Sequence, residues 1–326
     1  MYRREKPLTL KRSASALCNN ISVLVMIEKH QIAYAVVHKY EVNIITASTD
    51  GANITAKQVV CKEPSATQGN PFLTQAKWVK LTSRCVLVLT TQKGIQIFEP
   101  DGSAMIYWHG LGDTSDASVN SNFARGVTGV EDILCVGTES GKILVFRIPS
   151  KGTDVTLQST LKGHSCSICD LASKENIVVS GDSMGNILVW KFNGSNSQQV
   201  TSIPGSGSPC NSLGLWKDVL VAGYGSGHLR VFSASTGKLA AEATAHARTI
   251  NAIDIATDNG LVLSVSDDSF LRLWQIRLDK SPRLEYKHAE NVTDIQLTGG
   301  KFVDAQGRAL CLTGYDHNEI IFYVKS

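Results

Sequence analysis

Apolar residues in this 326-residue chain come in short bursts separated by polar turns, without the three-and-four spacing of an amphipathic helix. One phrase recurs: "LCVGTESGKILVF" ending at Phe146, "IVVSGDSMGNILVW" at Trp190, "VLVAGYGSGHLRVF" at Phe232 and "LVLSVSDDSFLRLW" at Trp274. Weaker copies end at Phe98 ("VLVLTTQKGIQIF") and Tyr323 ("LCLTGYDHNEIIFY"). Each copy is an apolar run, a short turn rich in Gly, Ser and Asp, and a second run in which Ile187 and Val189 alternate with Leu188 and Trp190. That pattern predicts a β-hairpin. Upstream, apolar residues follow a polar anchor at four and seven positions: His164 then Ile168 and Leu171, His246 then Ile250 and Ile253, His288 then Val292 and Ile295. This supplies an inner strand. A further strand lies between closing aromatic and anchor, in "TDVTLQSTL", "SQQVTSI" and "KLAAEATA", giving four strands per unit.

The closing aromatics at 98, 146, 190, 232, 274 and 323 are 48, 44, 42, 42 and 49 residues apart, the period of a four-stranded propeller blade. An N-terminal unit is read by laying "IAYAVVHKYEVNIITAS" on the hairpin phrase with Thr46 at the aromatic position. The chain therefore reads as an all-β, seven-bladed β-propeller of one domain over 1–326, with blades at about 13–61, 62–112, 113–162, 163–204, 205–245, 246–287 and 288–326 plus 7–12. The last unit ends just after Tyr323, and "PLTLKRSASALCNN" aligns with "STLKGHSCSICDLA". Leu8 to Lys11 are thus expected to form the outer strand of the last blade. The ring then closes by joining both termini in one sheet, which protects strand edges.

These residues resemble the WD-repeat β-propellers. The sixth unit carries the family pattern best, with His246, Ser264, Asp268 and Trp274 where the family places a hydrogen-bonded tetrad. An imidazole between a carboxylate and a hydroxyl, with an indole N–H as outer donor, leaves no buried polar atom unpaired. The fourth unit keeps Gly163, His164, Ser180 and Trp190 but shows Met184 at the Asp position. The seventh has His288, Thr313 and Tyr323, with His317 at that position. Units one, two, three and five lack an anchor His, and no Trp-Asp pair occurs. Stretches such as "ALCNNISVL", "FARGV" and "TAHARTINAIDIA" narrow the likeness to one branch of the family. The resemblance implies an interaction role rather than a reaction.

Composition sharpens this reading. The chain is 43% hydrophobic and only 19% charged, with 27 Gly, which suits strands and tight turns and argues against helix bundles. A net charge of +3 gives no compositional case for nucleic acid. The eight cysteines sit mostly inside apolar runs and read as buried hydrophobes of a reducing compartment, cytoplasmic and also nuclear rather than secreted. No apolar run approaches a membrane span. Three sharper motifs are weak in context. Cys166 and Cys169 lack the second pair that a structural zinc needs. "GDSMG" around Ser183 lies between strands, where a nucleophile elbow has no helix. "GYGSGH" likewise leads into no helix N-terminus. No metal and no cofactor is expected.

The face of the ring remains. Turns between second and third strands gather with the loops leading into the inner strands, and loops on a rigid scaffold carry recognition. The repeat places His38, Lys39 and Tyr40; Gln92 and Lys93; Glu139 and Ser140; Asp182, Ser183 and Met184; Tyr224 and Ser226; Ser266 and Asp267; and Tyr315, Asp316 and His317 in these turns. Tyr and Met suit protein contacts. The expected function is a non-catalytic scaffold or adaptor that binds a protein or peptide through this face, as a monomeric propeller within a larger complex and at membranes only indirectly. Candidate contacts are Tyr40, Lys93, Glu139, Asp182, Met184, Tyr224, Asp267, Tyr315 and His317. Two alternatives stay open at this point. "FARG", Phe123 to Gly126, is similar to the Phe-Arg-Arg-Gly of phosphoinositide-binding propellers, with Ala124 in place of one Arg. An enzyme would need carboxylates such as Glu139, Asp182, Asp267 and Asp316 to converge at the channel mouth. Trp216, on the opposite face, is expected to pack against the neighbouring blade.

Overall fold

The structure, a computed structural model, describes residues 1–61, 70–112, 123–279 and 281–326. It contains seven four-stranded antiparallel sheets. Six are continuous in sequence, spanning 22–60, 73–110, 124–162, 168–203, 210–244 and 250–291. The seventh takes three strands from 297–325 and its outer strand from Tyr2–Thr9. Apart from a 3-10 turn at Ile27–Lys29, all regular structure among the described residues is strand.

Alternation explains the arrangement. The second and third strands of each blade present apolar residues to both faces of the sheet, so each blade buries both faces against its neighbours. Seven apolar layers result, one between every adjacent pair. The layer that closes the ring joins Cys311 and Ile320 of blade seven to Tyr34, Val36 and Ile45 of blade one, with Leu10, Ala14 and Ile21 between them. Polar residues on the inner strands stitch one blade to the next. Ser22 accepts from Trp78 N–H, Gln75 from Gly126 N–H, Asp170 from Leu213 N–H, Ser212 from Ile253 N–H and Asp254 from Phe302 N–H. Thr313 closes the series by donating to the Asn20 carbonyl. Trp216 is buried and donates its indole N–H to Thr257 O of blade six at 2.8 Å.

Two sequence expectations are corrected. The closing strand is Tyr2–Thr9 rather than Leu8–Lys11, in register from Tyr2 opposite Lys325 to Thr9 opposite Glu319. Tyr2 is buried, and its hydroxyl donates to the Gly307 carbonyl. His288 does not anchor blade seven. It lies in the ten-residue outer strand of blade six, Pro282–Asn291, which runs past the expected boundary at 287. There it stacks on Tyr2, 5.8 Å between ring centroids. The inner strand of blade seven starts at Leu297, so Val292 and Ile295 precede it.

Candidate functional site

Two buried polar networks fix the geometry of the loop face. In blade six, His246 Nδ1 lies 3.0 Å from both Asp268 oxygens, its Nε2 lies 2.8 Å from Ser264 Oγ, and Trp274 Nε1 donates to that hydroxyl at 3.0 Å. Arg272 adds an ion pair to Asp268 at 3.1 Å. Burial acts to raise the Asp268 carboxyl, but hydrogen bonds from His246, Ala247 and Phe270 outweigh it and hold the group well below the carboxylate range. Burial lowers His246, which keeps it neutral.

Blade four builds the same network from an unexpected residue. His164 Nδ1 lies 2.9 Å from Asp182 Oδ2, His164 Nε2 lies 2.7 Å from Ser180 Oγ, and Trp190 Nε1 donates to Ser180 at 2.9 Å. Asp182 Oδ1 also accepts the N–H groups of Met184 and Asn186, both at 2.9 Å. The Asp is therefore two residues after the Ser here and four after it in blade six. Asp182 is fully buried and belongs to the scaffold, not to the exposed surface. Tyr224 is corrected likewise. It is 1% exposed, packed in the layer between blades four and five, with the Arg230 guanidinium 4.8 Å from its ring centre.

The other turn residues lie as follows. Tyr40, Lys93, Met184 and Tyr315 are exposed. Glu139, Asp267 and His317 are half-buried. Asp267 accepts from Asn251 Nδ2 at 2.6 Å, and His317 Nε2 lies 3.3 Å from Glu319. Asp316 accepts from Ser13 Oγ. Asp182, Asp267 and Asp316 are thus each held by different partners.

A segment that periodicity does not reveal bonds to several blades. Ala14 pairs with Tyr315, Ser13 O lies 2.6 Å from His38 Nδ1, and Ser15 Oγ accepts from Lys39 N–H. The chain then crosses the channel mouth. Asn19, left-handed at φ 56°, donates its N–H to Asn251 O, donates Nδ2 to Asn211 O and accepts from Ser212 Oγ. Cys18 donates to Asn251 Oδ1 and bonds the Arg125 guanidinium. Arg125 itself is half-buried, with its Nη2 atom shielded from solvent. Beneath the segment is a cavity of about 40 Å³ lined by Ser22, Gln75, Lys77, Asp170, Ser212 and Lys301, among others. Burial pushes Lys77 down and Asp170 up, whereas Asp254, 2.9 Å from Lys301 Nζ, outweighs burial and raises Lys301. Among the described residues no group of three metal-ligating side chains occurs.

Three aromatics stand on adjacent loops: Tyr315 at 53% exposure, Tyr40 at 41% and Phe72 at 51%. Backbone bonds fix their spacing, through Ala14 to Tyr315, Cys61 N–H to Tyr40 O, Leu73 N–H to Lys39 O and Gln92 N–H to Phe72 O. Phe72 escaped the sequence reading because it precedes its strand by one residue, outside the repeated hairpin turn.

A family model described as WDR54 matches residues 1–325. The chain belongs to the WDR54 family of WD-repeat proteins. It is 39% identical to mouse WD repeat-containing protein 54 over 333 residues, covering 98% of each chain, and equally identical to the human protein of that name. Similar solved structures are a chain of a mitotic checkpoint complex (TM-score 0.74, 15% identity, 98% of this chain and 91% of that one) and U3-55K (0.73, 15%, 99% and 98%). At such identity they show the fold alone, a WD-repeat propeller. Propellers of this kind generally mediate protein–protein interaction.

Proposed function

We propose that this chain is a non-catalytic scaffold that holds a protein or peptide partner on the arc of its loop face formed by blades seven, one and two. The observation that carries this reading is the aromatic row Tyr315, Tyr40 and Phe72, left exposed on loops that backbone bonds tie together. Exposed aromatics fixed by backbone bonds lose little entropy on binding, which is the character of interface anchors. Lys39 and Lys93 are exposed on the turns that carry or neighbour these aromatics. All eight cysteines are free thiols, which fits work in a reducing cytoplasmic or nuclear compartment.

Proximity labelling in cells followed by co-purification tests the reading. Replacing Tyr40, Phe72 and Tyr315 together by Ser leaves the melting temperature unchanged and removes the captured partners. Undiminished recovery of the same partners by the triple variant overturns it.

A further inference from the structure

A cleft of about 420 Å³ opens beside the arc, between the outer strand of blade two and the outer hairpin of blade three. It lies next to Lys93, whose carbonyl accepts from Leu111 N–H. Leu111, Phe123 and Leu144 give it apolar walls, and His109 stands against Phe146 at 5.1 Å between ring centres. Burial lowers His109, so the imidazole is neutral. The opposite wall is one face of the hairpin: Lys142 and Leu144 on Lys142–Arg147, with Thr160 and Lys162 on Thr156–Lys162.

Lys142 lies directly opposite Lys162 in the strand register. Like charges facing across a sheet, with β-carbons about 4.5 to 5.5 Å apart, are destabilising. Both side chains are exposed, and neither has an acidic partner within 4 Å among the described residues. Other outer hairpins of this chain pair their charges: Arg230 with Glu242 in blade five at 2.5 Å, and Arg277 with Glu285 in blade six at 2.9 Å. Blade three alone among these three leaves two lysines uncompensated, at the rim of an apolar cleft. Glu139 lines the same cleft from the blade-three turn, so the rim has a negative and a positive end.

We propose that this cleft binds an extended peptide segment of the partner, an apolar side chain entering against Leu111, Phe123 and Leu144 while an adjacent Asp or Glu carboxylate lies between Lys142 and Lys162. The inference rests on the scaffold reading and names the chemistry of the segment it holds. Glu139 sets the direction, because an acidic residue at its end of the cleft is repelled.

The test pans a random twelve-residue peptide library displayed on phage against the full chain at low salt. Enriched peptides, labelled with fluorescein, are then titrated by anisotropy. The expected peptides carry Asp or Glu next to Leu, Ile, Phe or Met. Lys142→Glu with Lys162→Glu weakens them at least about thirtyfold, Glu139→Lys tightens them about threefold, and raising salt weakens them in the wild type. The Tyr40, Phe72 and Tyr315 triple Ser variant binds them within about threefold of the wild type, because single exposed contacts outside the cleft contribute little. Unchanged melting temperatures establish that every variant is folded. Enrichment of non-acidic peptides, failure to enrich any, or indifference to the lysine reversal overturns the inference. Peptides lost only in the triple Ser variant, or peptides insensitive to both variants, would overturn it; the scaffold reading falls separately, by undiminished partner recovery with the triple Ser variant in cells.

Discussion

Replacing Asp182 by Ala discriminates a scaffold residue from a surface contact. The side chain accepts from His164 Nδ1 and from the N–H groups of Met184 and Asn186, and Asn186 Nδ2 adds a fourth donor at 2.9 Å. His164 and Asp182 side chains are each 1% exposed. Water therefore cannot replace the lost carboxylate at the imidazole. Leaving a buried donor unsatisfied costs about 1 to 3 kcal/mol, so loss at His164 and at the turn amides totals about 4 kcal/mol. Unfolding entropy of about 2.1 cal/mol/K per residue gives about 0.7 kcal/mol per degree for this length, and the loss becomes a fall in Tm of about 6 °C. The control is Met184→Ala two residues away, at a side chain 48% exposed, which shifts Tm by less than about 1 °C. Differential scanning calorimetry of both variants at pH 7.5 decides the matter. A fall below 1 °C for Asp182→Ala, or one equal to that of Met184→Ala, refutes the assignment of Asp182 to the blade-four network.

Two further predictions concern pH and closure. Burial holds His164 and His246 below the ordinary imidazole value, so the unfolded chain takes up protons first as pH falls. Their contribution is complete above about pH 6.5 and declines below it, while the depressed Asp182 and Asp268 add stability above about pH 3.9 that disappears only as pH falls through their folded values. Tm therefore drops between pH 7.5 and 5.5, less steeply in the His164→Asn, His246→Asn variant; equal slopes contradict the linkage. Deleting residues 1–11 removes buried Tyr2 and Leu10, each worth about 1.5 to 3 kcal/mol, and lowers Tm by about 4 to 9 °C. An unchanged Tm would reject closure through this strand.

The repeated hairpin was legible because its chemistry is local: apolar runs, turn residues and a closing aromatic recur at one spacing. Contacts between distant segments were not. Asp182 was missed because alignment fixed the carboxylate four residues after the serine, and a turn in which Asp182 itself accepts the Met184 and Asn186 N–H groups brings it in two residues earlier. Tyr224 ends its strand where a turn residue is expected, yet the Arg230 guanidinium covers its ring and blade four covers its body. His288 has the spacing of an anchor but sits in a strand extended by four residues beyond 287. Apolar alternation at Leu8 and Leu10 drew the closing strand too far along the chain, whereas Tyr2, alone among charged residues, gives little pattern. Thr128 and Ser173, which bond each other across blades three and four at 2.7 Å, show the same limit: their purpose lies in the neighbouring blade.

Cys18 and Asn19 reach the inner strands of blades five and six and the Arg125 guanidinium of blade three, from a chain that has just left blade seven. A ring held only at its rim can shear, each blade tilting a little against the next. A rim tied through its hub is braced, like a wheel given spokes. The consequence is mechanical: a load on one blade is shared with blades on the far side of the ring through this segment.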